Sequence, residues 1–257
     1  VLFRRQRQMC IRDSIYISSI IIVYSKLIII RSIVPTIPTE SISILPTRII
    51  IVKTNTAELG VGGHTINRLF GPTSNVYNLS KSAAGSSGGA STAVAAGLLP
   101  FADGTDQMGS CRGPAAFANI YGFRPTPGLI SVERGKMKDK SPILTTPGCF
   151  ARTPNDMAIL LDVMKGSDTL DKKSFELNDF FKNQNISLDV FSSYKLGWLS
   201  DMNGKYEYED GILDICENTL INLEKLKLKV EFLNPDFDCE ALWKSWVTFR
   251  SKGCLLY

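Results

Sequence analysis

One stretch constrains this chain more than any other, the 36 residues from Ser82 to Phe117 that read SAAGSSGGASTAVAAGLLPFADGTDQMGSCRGPAAF. It holds seven glycines and five serines, no lysine and a single arginine. Glycine permits positive φ and close approach of a backbone to its neighbour, and each one weakens the fold through chain entropy. Such density therefore points to a constrained site rather than to a plain structural element. Two clusters stand out, Gly85-Ser86-Ser87-Gly88-Gly89 and Asp106-Gln107-Met108-Gly109-Ser110-Cys111-Arg112-Gly113-Pro114.

The segment between them has its own logic. Ala90 to Gly97 is built from good helix formers and ends on a glycine, which predicts a short helix with a left-handed stop. Leu98 to Ala102 is an apolar run that predicts a buried strand. Each serine cluster then falls where a loop meets a regular element, Ser86-Ser87 before the helix and Ser110 past the strand. Reactive groups on loops, held by rigid elements, are the usual construction of a site.

The run GSSGGASTAVAAGLLPFADGTDQMGSCRGPAAFANIYGFRPTPG resembles the signature of the amidase signature family. These are serine hydrolases that cleave carboxamides, and they include the A subunit of tRNA-dependent amidotransferases. The resemblance extends upstream through VKTNTAELGVGGHTINRLFGPTSNVYNLSKSAAGSSGG and downstream through LTTPGCFARTPNDMAILLDVMKG, from Ile49 to about Gly166. It implies an α/β fold with a mixed central β-sheet covered by helices, of which this chain carries part. Residues 49–257 are accordingly expected to be a partial amidase signature domain, and residues 1–48 a non-native or misread leader.

The resemblance also assigns roles. The family nucleophile falls on Ser110, and a bridging serine held by a cis peptide bond falls on Ser86, 24 positions earlier. The third member of the triad is a lysine well upstream. Lys53, 33 positions before Ser86, matches a later, non-catalytic element in VKTN, so the catalytic lysine is expected to be missing and this chain by itself to be inactive. A serine hydroxyl is a weak nucleophile at neutral pH and needs an adjacent base. By resemblance, a neutral lysine takes the proton of Ser110 through Ser86. The oxyanion that follows would be held by the backbone N–H groups of Gln107, Met108, Gly109 and Ser110. Losing one such donor costs about 3–4 kcal/mol of transition-state stabilisation. Gln107-Met108 departs from the smaller residues common in the family, which predicts a narrowed or reshaped acyl pocket.

Supporting roles are expected of Ser87, Asp106 and Arg112, the last two through hydrogen bonds that fix the nucleophile loop. Cys111 reads as a small buried hydrophobe rather than a thiol nucleophile. His64, the single histidine, reads as a loop residue bonded to backbone, and Lys81 as a solvated loop lysine.

The remainder is less specific. A formal charge of +4, from 29 basic and 25 acidic residues, forms no basic stripe and excludes a nucleic-acid footprint. The start, VLFRRQRQMCIRDS, is basic and precedes the isoleucine-rich IYISSIIIVYSKLIIIRSIV. A membrane anchor fits its length but not Lys26 and Arg31 within it, a signal peptide fits the basic start only, and RQRQMCIRDS resembles a translated sequencing adapter. Six scattered cysteines with no CxxC spacing indicate neither a disulfide framework nor a zinc site, which favours a cytoplasmic location. No phosphate-binding loop and no cofactor are expected, since GSSGG lacks the Lys-Ser/Thr ending.

Downstream, Ile120–Phe123 and Leu129–Val132 read as short strands around the turn at Arg124–Gly128. Thr153-Pro154-Asn155-Asp156 opens a helix with a threonine cap, proline next and an acid at the third position, and Met157, Leu160, Leu161 and Met164 line its buried face. Residues Ser167 to Leu188 read as a surface excursion. Leu196–Leu199 and Leu228–Phe232 read as strands, Asp210–Leu226 as an amphipathic helix, and Asp236–Phe249 as a last helix whose Leu242, Trp243 and Trp246 belong to a core. Three functions follow from the resemblance: a hydrolase of small-molecule amides, an amidotransferase A subunit that works with partner subunits, or an inactive amide-binding relic. A homodimer is left open, as is a membrane association if the N-terminal run is native.

Overall fold

The computed structural model describes residues 52–132, 144–177, 192–234 and 236–254. They fall into two compact units, one of residues 52–177 and one of residues 192–254. In the first, a short hairpin, β1 (Ile66–Asn67) with β2 (Gly71–Pro72), precedes helix α1 (Gly88–Ala95), strand β3 (Phe101–Asp106), helix α2 (Arg112–Phe117), strands β4 (Tyr121–Phe123) and β5 (Thr146–Ala151), and helix α3 (Pro154–Met164). The strands β3, β5 and β4 form an antiparallel sheet in that order, with Phe101 opposite Ala151 and Tyr121 opposite Ala151 on its other edge.

Successive residues of a strand face opposite sides of the sheet. Ala102 and Phe150 pack with Ala90, Val94, Cys111 and Ala115 of α1 and the start of α2. Phe101, Cys149 and Ala151 pack with Met157, Leu160 and Leu161 of α3. The sheet is thus a middle layer between helices, the α/β layering expected from the sequence.

Helix α1 is buried along nearly its whole length because its residues are small. Its first glycines lie where a Cβ would press on neighbours, Gly88 on the Thr65 side chain and Gly89 on the Asn55 backbone. It stops at Gly97, whose φ of +70° and N–H to Val94 complete the left-handed end. Arg152 reaches back from the end of β5 and donates to the Val94 and Leu99 carbonyls, both at 2.7 Å, tying the end of the helix and the residues after it to the sheet. Helix α3 starts as expected, the Thr153 hydroxyl accepting the Asp156 N–H at 3.1 Å.

Two strand expectations need correction, and one strand is added to them. The strand placed at Leu98–Ala102 begins at Phe101, after Pro100, and runs on to Asp106. Asp103-Gly104-Thr105 looks like a turn, yet it pairs throughout with β5 and is largely buried because helices cover both faces. Leu129–Val132 is not a strand: the Leu129 N–H closes a turn on Thr126, and the Val132 N–H donates to the buried Asp171 carboxylate at 3.1 Å. The sheet is completed by β5, which was not expected from the sequence. Its Pro147 is tolerated because β4 pairs only with residues 149–151, so the proline lies where that side of the strand is open.

The second unit is a βαβ arrangement. Strand β6 (Lys195–Trp198) pairs in parallel with β7 (Lys229–Phe232), and helix α4 (Ile212–Lys225) connects them. Helix α5 (Cys239–Cys254) follows, its start capped by the Asp238 carboxylate, which accepts the Glu240 and Ala241 N–H groups. Leu242 and Trp243 are 59% and 54% exposed, so these two side chains are not core residues as expected. The N-terminal run and part of the Ser167–Leu188 excursion lie outside the described residues; within the excursion Asp171 is buried. Among the described residues no helix is long and apolar enough to cross a membrane.

Candidate active site

The two serine clusters meet. Ser87, buried at the start of α1, donates its N–H to the Ser110 carbonyl at 3.4 Å, joining loops that lie 24 residues apart for Ser86 and Ser110. The Ser87 hydroxyl lies 3.4–3.5 Å from the Thr105 N–H and carbonyl at the end of β3. This approach requires Gly104, since a Cβ there would sit 2.8 Å from the Phe150 ring and 2.9 Å from Ser87 Oγ. Ser86 is buried, its bond to Gly85 is cis as the resemblance implies, and its carbonyl accepts the Ala57 N–H at 3.0 Å and the Thr65 hydroxyl at 3.1 Å.

Asp106 organises the loop that carries Ser110. Its carboxylate is fully buried and accepts the N–H groups of Gly109 (2.7 Å), Cys111 (3.1 Å) and Arg112 (3.3 Å), with Arg112 Nη2 and Nε at 3.0 and 3.1 Å. Burial alone would raise this carboxyl, but the bonds from Arg112 and from the three backbone groups outweigh it and hold it below the ordinary carboxylate range. The loop turns at Gly109, whose φ of +105° suits glycine. The Gly109 N–H is directed to Asp106, so in this geometry it anchors the loop. Ser110 is half-buried, while Gln107 and Met108 are exposed, the latter by 55%.

Cys111 is fully buried and carries no disulfide, as expected of a small hydrophobe. Burial raises its thiol far above the usual range, with Asp106 adding to the effect, and burial beside Asp103 pushes Cys149 up to about 12. His64 is exposed and bonds through Nδ1 to the Ser82 hydroxyl at 2.8 Å, a side-chain partner rather than the backbone one expected. Lys53 and Lys81 are exposed. Among the described residues no group of histidine, cysteine and carboxylate side chains could hold a metal ion.

Two residues of this region escaped the sequence reading. Arg124 lies in a Pro/Gly turn, but its Nε bonds the Asp106 carbonyl at 3.3 Å and sits 3.5 Å from Asp106 Oδ1, while Nη2 donates to the Leu144 carbonyl at 2.9 Å. The Asp–Arg pairing six residues apart was legible; the second arginine, 18 residues on, had no local signal. Thr65 is the other, a lone threonine in GGHTIN with nothing in its pattern to mark it.

Comparison with known proteins places this layered α/β unit, with its two serine loops joined above the end of one strand. The family model for amidases matches residues 47–249, so the chain belongs to the amidase family. It is 35% identical over 210 residues to an acylamidase of Rhodococcus erythropolis, an alignment that covers 79% of this chain and 43% of that protein. The crystal structure of a bacterial aryl acylamidase of the amidase signature enzymes superposes with a TM-score of 0.65 at 29% identity, over 77% of this chain and 40% of that one. The glutamyl-tRNA(Gln) amidotransferase A subunit of Thermotoga maritima gives 0.63 at 31% identity, over 72% and 40%. The chain thus spans about two fifths of the length of the relatives it matches.

Proposed function

We propose that the full-length protein hydrolyses carboxamide C–N bonds through an acyl-enzyme on Ser110, with Ser86 as proton relay. The observation that carries this is the Ser87 N–H to Ser110 carbonyl bond, which sets the relay loop against the nucleophile loop while Asp106 holds the latter rigid. In the first step Ser110 Oγ bonds to the amide carbon and its proton leaves through Ser86 to a base. The carbonyl becomes an oxyanion facing the N–H groups of Gln107, Met108 and Ser110. The C–N bond then breaks as the relayed proton passes to the amine, and water cleaves the ester to release the acid and restore Ser110. The base is the lysine that the resemblance implies, and it belongs outside the described residues. Ser87, Asp106 and Arg112 support these loops without touching substrate.

A small-molecule amide is the favoured substrate class, since the exposed Gln107 and Met108 leave a bulky rim beside the nucleophile. The match to an amidotransferase A subunit favours glutamine as a second reading, with ammonia passed on through partner subunits. Ser110→Ala in the full-length protein should abolish amide turnover while leaving the melting temperature nearly unchanged. Retained turnover rules out the nucleophile assignment. Glutamine hydrolysis that appears only with a copurifying partner selects the second reading.

A further inference from the structure

Thr65 holds the turn that carries Ser86 from both sides. The residue is 1% exposed. Its hydroxyl donates to the Ser86 carbonyl at 3.1 Å and accepts the Gly88 N–H at 2.8 Å. A hydroxyl has one proton to give, so with one donor and one acceptor filled its orientation is set. The Thr65 backbone adds a third point, donating its N–H to the Ala84 carbonyl at 2.9 Å, and its own carbonyl is held by the Thr73 N–H at 2.8 Å. Ala84, Ser86 and Gly88, alternate residues of one turn, are thereby tied to one side chain and its backbone.

The fit leaves no room for another group. A Cβ on Gly85 would lie 2.8 Å from the His64 carbonyl carbon, and one on Gly88 would collide with Thr65 itself. Segment 64–65 and the serine turn are therefore in direct contact. The constraint extends past Ser86, because Ser87 follows it and bonds Ser110 through its N–H.

We infer that Thr65 is a positioning residue of the reaction: its hydroxyl bridges the Ser86 carbonyl and the Gly88 N–H and so fixes the relay serine against the Ser110 loop. This rests on the reading of Ser110 as nucleophile and Ser86 as relay. Thr65→Val keeps the shape and removes the hydroxyl, whereas Thr65→Ser keeps the hydroxyl and removes a methyl group.

The test is made on the full-length protein with a fluorophosphonate probe, an amide substrate and amide hydrogen exchange. Thr65→Val should lower kcat and the probe's inactivation rate about 10- to 100-fold with KM little changed, as expected when a reacting group is misplaced while substrate binding is intact. Its Gly88 amide should exchange about tenfold faster, the change that corresponds to one net hydrogen bond. Thr65→Ser should keep both the rate and the Gly88 protection. Equal inactivation rates in wild type and a folded Thr65→Val overturn the inference, as does equal loss of rate in both variants, which would make the role one of packing. If Thr65→Val does not fold, Thr65→Ser decides: a lost rate with Gly88 still protected overturns it. A wild type whose Ser110 never reacts, with Gly88 protected, overturns the nucleophile reading and the Thr65 role with it. A reactive Ser110 with Gly88 unprotected overturns the Thr65 bridge alone.

Discussion

Asp106→Asn is the substitution whose cost the structure specifies most closely. Oδ1 accepts from Gly109 N and Arg112 Nη2, and Oδ2 from Cys111 N, Arg112 N and Arg112 Nε. An asparagine keeps the shape but offers one acceptor oxygen and one NH2 group, which cannot accept. With the oxygen placed at the more heavily used Oδ2 position, the Gly109 N–H and one guanidinium N–H face a donor. A buried N–H left without its acceptor costs about 1–3 kcal/mol. The Arg112 side chain is 55% exposed, so water replaces much of what it loses and its share is about 0–1 kcal/mol. The sum is about 1–4 kcal/mol, or a fall in Tm of roughly 2–16 °C for a domain of this size.

The pH dependence follows from the lowered pKa of Asp106. A carboxylate whose folded value lies below its unfolded one stabilises the fold above the unfolded value, and that stability is lost as pH falls through the folded value. The gap between wild type and Asp106→Asn should therefore be full at neutral pH and begin to close below about pH 4. Thermal unfolding of both proteins across pH measures it. A variant as stable as wild type at neutral pH, or a gap that does not narrow in acid, refutes the reasoning.

Other outcomes follow from single residues. Ala84 is buried with a φ of +57°, so Ala84→Gly relieves about 1–2 kcal/mol of left-handed strain but loses a similar amount through chain entropy and a buried methyl group, and denaturant unfolding should find its stability within about 1 kcal/mol of wild type. Cys111 and Cys149 are buried with raised thiol values, so neither should react with iodoacetamide in the native protein near pH 8, whereas the unfolded chain should be modified at both, as read by peptide mass. The same shifts predict stability that is full below the thiols' unfolded value of about 8.5 and declines as pH rises above it.

How much of this was legible in the sequence depended on whether a residue announced its role locally. Gly97 as a helix stop and Thr153 as a cap are positions where one residue type answers one backbone demand, and both stand where expected. The pairing of Asp106 with Arg112 lies within one loop and was equally readable. Strand β5 was not, because its Pro147-Gly148 looks like a turn and is accommodated only by an open strand side that the chain supplies elsewhere. β3 was misplaced because Asp103, Gly104 and Thr105 are poor strand formers, held in the sheet by their β5 partners and by helices on both faces. Thr65 and Arg124 act at long range, 21 residues from Ser86 and 18 from Asp106, where no periodicity or motif connects them. The aromatic face of α5 shows the reverse error, since an apolar stripe on a helix does not by itself say what covers it.

The role proposed for Ser110 is that of acyl-enzyme nucleophile. The most direct measurement is peptide mapping of the full-length protein after reaction with a fluorophosphonate, beside its turnover of a simple aryl amide. One adduct is expected, on Ser110, whose formation tracks loss of turnover and which is absent from Ser110→Ala. An adduct on Ser86 or Cys111 instead, or continued amide turnover by protein fully labelled at Ser110, would contradict it.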